Sequence, residues 1–513
     1  MLRTLSSVLQ FFSSSVLQLK GKSLILCFLS AILLALSFPR ASFWISAWFG
    51  FVPLFFALEN KSGGRAFLLG FITGIIFWLG TVYWLIHVTL PGTVLLVLYL
   101  ALYFGIFAFV FPYLLPTNYC LLSIPATWVL LEYIRAHLFT GFPWALLGHS
   151  QYLNLPVIQI SDIFGAWGVS FLLMMANVSL YRIRVYGLRA RGTAISLFCI
   201  LAVITYGYYQ MYHLAAVPSR LRLKVCVIQA NIPQEKKWDK NAVGFILDRY
   251  SELSREASLK KPDLIIWPEA ASPGVLGEDD WVFEEFFALN KRIRIPMLIG
   301  AVVREKDIYY NSALLIEEGR ITGRYDKLHL VPFGEYVPLK KFLPFLEAVV
   351  PIGDIARGEE YTIFKAVDPR SRTPVSFAVL NCFEDLFPEL SRQFVKKGAQ
   401  FLVNITNDAW YKKTSASYQH LQASVFRAVE NRIYLARSAN TGISGFISPS
   451  GIIVSRVRDN AGRDIFVEGC STLAVPAKED SQSIYCRLGD FFIPACLLSI
   501  FYGIIRARRK NEK

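Results

Sequence analysis

"TPVSFAVLNCFEDLF", residues 373–387, runs from an apolar stretch straight into a cysteine, a phenylalanine and two acids. Such a run reads as a buried strand whose end presents Cys382. A thiol there is either an inert core residue or a nucleophile, and neighbouring strand ends decide which. Upstream, "RLKVCVIQA" (222–230), "DLIIWPE" (263–269) and "IPMLIGAVV" (295–303) have the same character, with a helical stretch over 241–260 between the first two. "YYNSALLIEEGRITGRYDK" (309–327) reads as two strands joined by a turn at Glu318-Gly319. "AQFLVNITND" (399–408) and "TGISGFISPSGIIVSRV" (441–457) continue the pattern, with a helix near 416–436 between them. Strands alternating with helices, many buried on both faces, indicate a layered α/β domain.

The rest of the chain has a different solvent. Hydrophobic residues make up 54% of the 513, and they crowd into 23–211 and 488–505, whereas 212–485 is mixed and charged. Runs near 23–39, 42–58, 66–87, 92–115, 117–137, 157–180, 193–211 and 488–506 have about the length of membrane spans, so eight spans are expected. Three divisions follow: a seven-span bundle over 1–211, a catalytic domain over 212–485, and a last span with a basic tail over 486–513. Arg3, Lys20 and Lys22, then Lys61 and Arg65, then Arg182, Arg184, Arg189 and Arg191, then "RARRK", fall on one side of an eight-span arrangement. That side is expected to be cytoplasmic, with both termini inside and the α/β domain outside. The net charge of +15 then reflects anchoring at anionic lipid, and no nucleic-acid motif accompanies it. Charge inside the spans is sparse, which argues against an ion-coupled transporter. The eight cysteines form no disulfide framework: five lie in or beside apolar spans, Cys226 lies in a strand, and Cys382 and Cys470 are left as free thiols.

Three reactive residues sit at ends of the α/β strands, where open sheets gather ligands: Glu269, Lys327 and Cys382. Each alone has an ordinary alternative as a surface acid, a solvated lysine or a core thiol. Together, "WPE", "DKLHLVPFGEYVP" and "NCFED" resemble the Glu-Lys-Cys signature of the nitrilase superfamily. "GFPWALLGHSQY" (141–152), "GAWGVSFL" (165–172), "QANIPQEKKWD" (229–239), "NITNDAWY" (404–411) and "QHLQASVFRAVENR" (419–432) narrow the resemblance to the bacterial apolipoprotein N-acyltransferase family. Phe383 departs from the tyrosine common beside the nucleophile, and Lys412 from the glycine usual after "WY".

The resemblance implies a nitrilase-type α-β-β-α sandwich on a helical bundle in the bacterial inner membrane. It implies acyl transfer from a phospholipid to the α-amino group of a diacylglyceryl-cysteine at an apolipoprotein N-terminus, without metal or cofactor. In this chemistry Cys382 attacks the ester and leaves again as a thioester. A free thiol titrates near ~8.5, so it needs a base or cation beside it. Glu269 is the expected base, and Lys327 the expected oxyanion donor, with the backbone N–H of Phe383. Glu335 would hold the lysine, Glu384 would orient the site from another face of the turn, and Asn407 and Glu430 would support it. His329 and His420 are read as hydrogen-bonding residues.

Trp144 and Trp238 are assigned to the lipid path, with core packing as the alternative. "VPLKKFLPFLEAVVPIG" (337–353) carries Phe342 and Phe345 and is read as an apolar lid over the acyl chain, again with core packing as the alternative. Two rival functions stand beside this one: a membrane-tethered amidase hydrolysing a small amide, and a transporter or receptor that only binds ligand.

Overall fold

A computed structural model describes residues 21–117, 119–187, 192–216, 221–332, 334–336, 355–478 and 482–511. Phe342 and Phe345, and with them the lid reading, lie outside the described residues. The chain divides into two compact units, one comprising residues up to Tyr208 and from Asp490 onward, the other Tyr209–Gly489.

The first unit is helical. Among the described residues, four helices are long and apolar enough to cross a membrane: Gly63–His87, Leu90–Leu114, Ser161–Tyr186 and Thr193–Leu214. Gly21–Leu36, Trp44–Leu58 and Phe492–Ile505 are shorter apolar helices. The expected run at 42–58 is interrupted, a 3-10 turn at Trp44–Trp48 preceding the helix Val52–Leu58. Asn177 serves that break by accepting from Phe51 N (2.8 Å) and donating to Ala47 O (2.8 Å). Gly70 and Gly74 explain the tight pairing of Gly63–His87 with Leu90–Leu114, because an added Cβ would lie 2.3 Å from Ala108 Cβ and 2.9 Å from Ala101 Cα respectively. Two glycines one turn apart let apolar helices approach where lipid offers no hydrophobic drive.

Charge is sparse in this unit but not excluded from its interior. The bundle buries charge, since Glu132 and Arg135 on the helix Cys120–His137 are each 3% exposed. Glu132 accepts from Leu147 N at 2.6 Å, and Arg135 donates to Phe142 O at 2.6 Å and Trp144 O at 2.8 Å. The two side chains pin down the buried loop that begins at "GFPW", whose backbone groups would otherwise be unsatisfied. Trp144 itself is packed against Trp84 and Phe142.

The second unit contains fourteen strands among its described residues: β1 (Arg222–Gln229), β2 (Leu264–Ile266), β3 (Val275–Leu276), β4 (Met297–Glu305), β5 (Ile308–Glu317), β6 (Arg320–Asp326), β7 (Ile355–Ala356), β8 (Phe364–Asp368), β9 (Thr373–Asn381), β10 (Phe401–Thr406), β11 (Leu435–Ala439), β12 (Gly445–Ile447), β13 (Ile453–Arg456) and β14 (Gly469–Pro476). One sheet has the order β14-β1-β2-β4-β5-β6 with β3 and β7 attached, and the other β13-β12-β11-β10-β9-β8. In each sheet the central strands are parallel (β1, β2 and β4; β9, β10 and β11) and the flanking pairs antiparallel. The β5–β6 turn falls at Glu318-Gly319, both with positive φ (52° and 74°), which suits the twist of a two-residue hairpin. Ser438 Oγ on β11 joins the sheets, donating to Ile228 O (2.8 Å) and Ile266 O (3.1 Å). Helices Val243–Leu259 and Asp280–Ile293 cover the first sheet around Trp267, Tyr250 and Phe286. Helices Pro388–Lys396 and Ala416–Asn431 belong with the second. The result is an α-β-β-α sandwich.

Candidate active site

Glu269 follows β2, Lys327 follows β6, Cys382 follows β9 and Asn407 follows β10, so four strand ends converge. Glu269 leaves β2 through a turn that needs a glycine opposite it: a Cβ on Gly300 would meet Pro268 O at 2.3 Å and Ala270 N at 2.6 Å. Cys382 occupies a sharp strand-to-turn elbow with φ +56°, a region a branched or bulky side chain avoids. Such strain is held only where the surroundings over-determine it. Here Asn404 Nδ2 donates to Cys382 O (3.1 Å), and Thr406 Oγ1 donates to Cys382 Sγ (3.1 Å).

The Glu269 carboxylate accepts from Lys327 Nζ (3.2 Å), Asn311 Nδ2 (2.9 Å) and Asn407 N (3.0 Å), and its charge acts on the neighbouring Cys382 thiol. Burial opposes its charge, but Lys327 and then Lys237 outweigh it and hold the carboxyl below its usual range. Lys327 is 1% exposed, so a lone ammonium would be costly there. Glu335 Oε1 at 3.0 Å, followed by Glu269, overcomes that cost and holds its pKa well above normal. Asn311 ties the two acids together by donating to Glu335 Oε1 at 2.7 Å as well. Cys382 is pushed the other way: burial, then the Glu269 charge, raise its thiol well above the ordinary value. In this resting arrangement the thiol keeps its proton beside an ionised base.

Glu384 does not face the thiol. Its carboxylate accepts from Tyr325 Oη (2.9 and 2.8 Å), Leu328 N (2.6 Å), His329 N (2.9 Å) and Asn381 N (2.7 Å). Burial raises this acid to about 7, against a donor set that suits the carboxylate form. The geometry gives it the task of fixing the segment after Lys327 to the Cys382 elbow. Phe383 is buried and packs near Phe387 and the His329 ring. Glu430 is remote from the sulfur: it pairs with Arg427 (2.7 Å), which donates to Asp385 O and Leu386 O. Trp238 stands 43% exposed.

Two features go beyond the sequence reading, which gives His420 only a hydrogen-bonding role. The first is Lys237, 6% exposed, whose Nζ donates to Glu269 O at 3.2 Å. Burial lowers it to about 8, against the pull of Glu269 and Cys382. It sits in "QEKKWD", where Trp238 drew attention and its neighbour turned inward instead. The second is a charged cradle beneath the elbow. His420 Nε2 donates to Asp385 Oδ1 (2.9 Å) and Cys382 O (3.2 Å), and Nδ1 donates to Asp408 Oδ1 (2.9 Å). Both ring nitrogens donating means an imidazolium. Burial disfavours that charge, yet Asp385 and Asp408 raise His420 to about 9. Arg437 closes the network on Asp385 (3.1 Å), Asn404 (2.6 Å) and Asp408 (3.4 Å).

The two halves of the chain each match a known family. Residues 30–179 match the apolipoprotein N-acyltransferase N-terminal domain, and residues 224–467 match the carbon-nitrogen hydrolase family. The apolipoprotein N-acyltransferase of Geobacter metallireducens is 40% identical over 94% of this chain and 95% of its own length. That of Rickettsia typhi is 30% identical over 94% and 97%, and that of Methylococcus capsulatus 32% identical over 84% and 86%. With both domains present and identity running through nearly the whole length, this chain belongs to the apolipoprotein N-acyltransferase family.

Proposed function

We propose that this N-acyltransferase moves an acyl chain from a phospholipid to the α-amino group of a diacylglyceryl-cysteine at an apolipoprotein N-terminus, through a thioester on Cys382. The observation that carries the reading is the convergence of Cys382, Glu269 and Lys327 in a chain of this family. In the first half-reaction Glu269 takes the thiol proton as sulfur attacks the ester carbonyl. The new oxyanion is met by the Lys327 ammonium and the backbone N–H of Phe383. Collapse breaks the ester C–O bond, and the proton on Glu269 leaves with the lysophospholipid hydroxyl. In the second half the acceptor amine attacks the thioester, Glu269 takes its proton, Cys382 departs as thiolate, and the proton passes from Glu269 to the sulfur to restore the resting thiol. Lys237 supports the base by adding a second positive charge next to it.

The same reading places the protein in the bacterial inner membrane with eight spans, both termini cytoplasmic and the catalytic unit extracytoplasmic. The clusters of Lys and Arg in alternate loops support this orientation. Reporter fusions after Gly187 and Lys260 are expected on opposite sides, and the same side for both contradicts it. For the reaction itself, purified enzyme with phospholipid and a diacylglyceryl-cysteinyl peptide is expected to give parallel double-reciprocal plots and an N-linked amide. Steady release of free fatty acid, unaffected by the peptide, supports the amidase-like hydrolase instead.

A further inference from the structure

The second unit contains another thiol arrangement, which the transfer reaction does not use. On β1 and β14, Cys226 faces Thr472 and Cys470 faces Ile228, so the two cysteines are diagonal neighbours on one face of an antiparallel pair. That face is covered by the helix Val243–Leu259, and Cys470 packs against the core cluster that contains Cys226. Cys226 is fully buried, whereas Cys470 is partly exposed at the rim. Lys260 Nζ stands 3.5 Å from Cys470 Sγ, and Glu256 Oε1 stands 3.8 Å from it. Each thiol perturbs the other's titration, Cys226 upward and Cys470 downward.

From this geometry we propose that Cys470 and Cys226 form a dithiol redox site, with Cys470 as the attacking thiol and Cys226 as the resolving one, that reacts with low-molecular-weight disulfides. The neighbouring Cys226 thiol, followed by the Lys260 ammonium 3.5 Å away, holds the Cys470 thiol down to about 7, so near neutral pH a large share of it is thiolate. Attack on a disulfide R–S–S–R forms a Cys470–S–S–R bond and expels R–S⁻. Cys226 then gives its proton to the departing thiolate and attacks Cys470 Sγ. The second R–S⁻ leaves and takes up the proton that Cys470 had given to solvent. Two electrons and two protons thus pass from the protein to one R–S–S–R, giving two R–SH.

Diagonal neighbours on an ideal sheet lie about 7–8 Å apart at Cα, just beyond the ~4.4–6.8 Å that a disulfide spans. Closure therefore draws β14 toward β1, which an edge strand can follow. The resulting bond is strained and easily reduced, as a reversible site requires. This site shares no residue with the Cys382 site, so its failure leaves the acyl-transfer reading untouched.

The test uses the full-length protein carrying Cys382→Ala, incubated with glutathione disulfide at pH 7 and digested for peptide mass analysis. The expected result is a Cys226–Cys470 disulfide with no glutathione retained. With Cys226→Ser added, a stable glutathione adduct should accumulate on Cys470. With Lys260→Met instead, reaction at Cys470 should slow about threefold, since lost thiolate is partly offset by higher nucleophilicity. A glutathione adduct that persists on Cys470 while Cys226 is intact overturns the resolving role. No modification at Cys470 overturns the site altogether, and both of these readings need only the protein with both thiols present.

Discussion

Cys382 and Cys470 belong to the same unit, and each has a lysine and a glutamate nearby, yet they are held in opposite states. Cys470 lies at a rim where Lys260 and Glu256 are exposed, and its proton is loosely held. Cys382 lies at the bottom of four strand ends, where burial and the ionised Glu269 hold the proton on sulfur. The thiol that ionises more readily is not the one placed for acyl transfer. Esters are attacked where a base, an oxyanion donor and an acyl path meet, and only the Cys382 elbow has the first two fixed by buried partners. A low resting pKa favours exchange with any accessible disulfide; a high one, with the base beside it, delays ionisation until a substrate makes it productive.

The largest separation between the two sites is expected from their lysines. Lys327→Ala should lower the acylation rate by about 10²–10³-fold, the usual range for loss of an oxyanion donor. Lys260→Met should leave that rate within twofold, because it touches only the Cys470 site. Single-turnover acylation from a labelled phospholipid measures both, and equal losses erase the distinction.

A second contrast lies beneath the thiols, since Cys382 rests on a charged cradle. His420 rises from an ordinary ~6.5 to about 9 on folding, so its stabilisation is complete below about 6.5 and is lost as pH rises through 9. The shift is worth about 3 kcal/mol, and the ring is 1% exposed, so little of it is screened. His420→Asn should lower the unfolding midpoint at pH 6 and flatten its decline between pH 6.5 and 9. An unchanged slope means that the imidazolium is not the group holding the elbow.

Lys237 offers a smaller effect. Lys237→Met should slow acylation about tenfold by removing a charge that favours ionised Glu269 and the thiolate, and should remove an inflection near pH 8 from the rate profile. Stability should hold or rise, because a buried ammonium costs more to desolvate than a thioether. An intact inflection in the variant assigns that pH dependence to another group. Smallest of all is Lys412, where glycine is usual in this family. Its φ of +50° with ψ of −163° is a backbone region close to glycine-only. Lys412→Gly should raise stability by about 1 kcal/mol with acyl transfer unchanged.

How far the sequence could be read depends on how local each signal is. Glu269, Lys327 and Cys382 each end an apolar run, and strand ends are visible from composition alone. Lys237 was hidden because its partner is the Glu269 carbonyl beyond the end of β2, reached only once the turn after β1 folds back. The Cys226–Cys470 pair was hidden for a related reason: it depends on the register between the first and last strands of the unit, which residue spacing does not encode. In the helical unit, hydropathy located the apolar runs but not the break before Val52. Nor did it reveal that Glu132 and Arg135 are tolerated by binding the backbone of the "GFPW" loop.

The central claim is that Cys382, protonated at rest and served by Glu269 and Lys327, carries the acyl group. It is tested most directly by incubating the full-length enzyme with phospholipid and no acceptor, then locating any acyl adduct by peptide mass analysis. The account predicts a hydroxylamine-sensitive thioester on Cys382, absent in Cys382→Ala, strongly slowed in Glu269→Gln and discharged by a diacylglyceryl-cysteinyl peptide. An adduct on Cys470 or on any other residue, or sustained fatty-acid release with Cys382 unmodified, would contradict it.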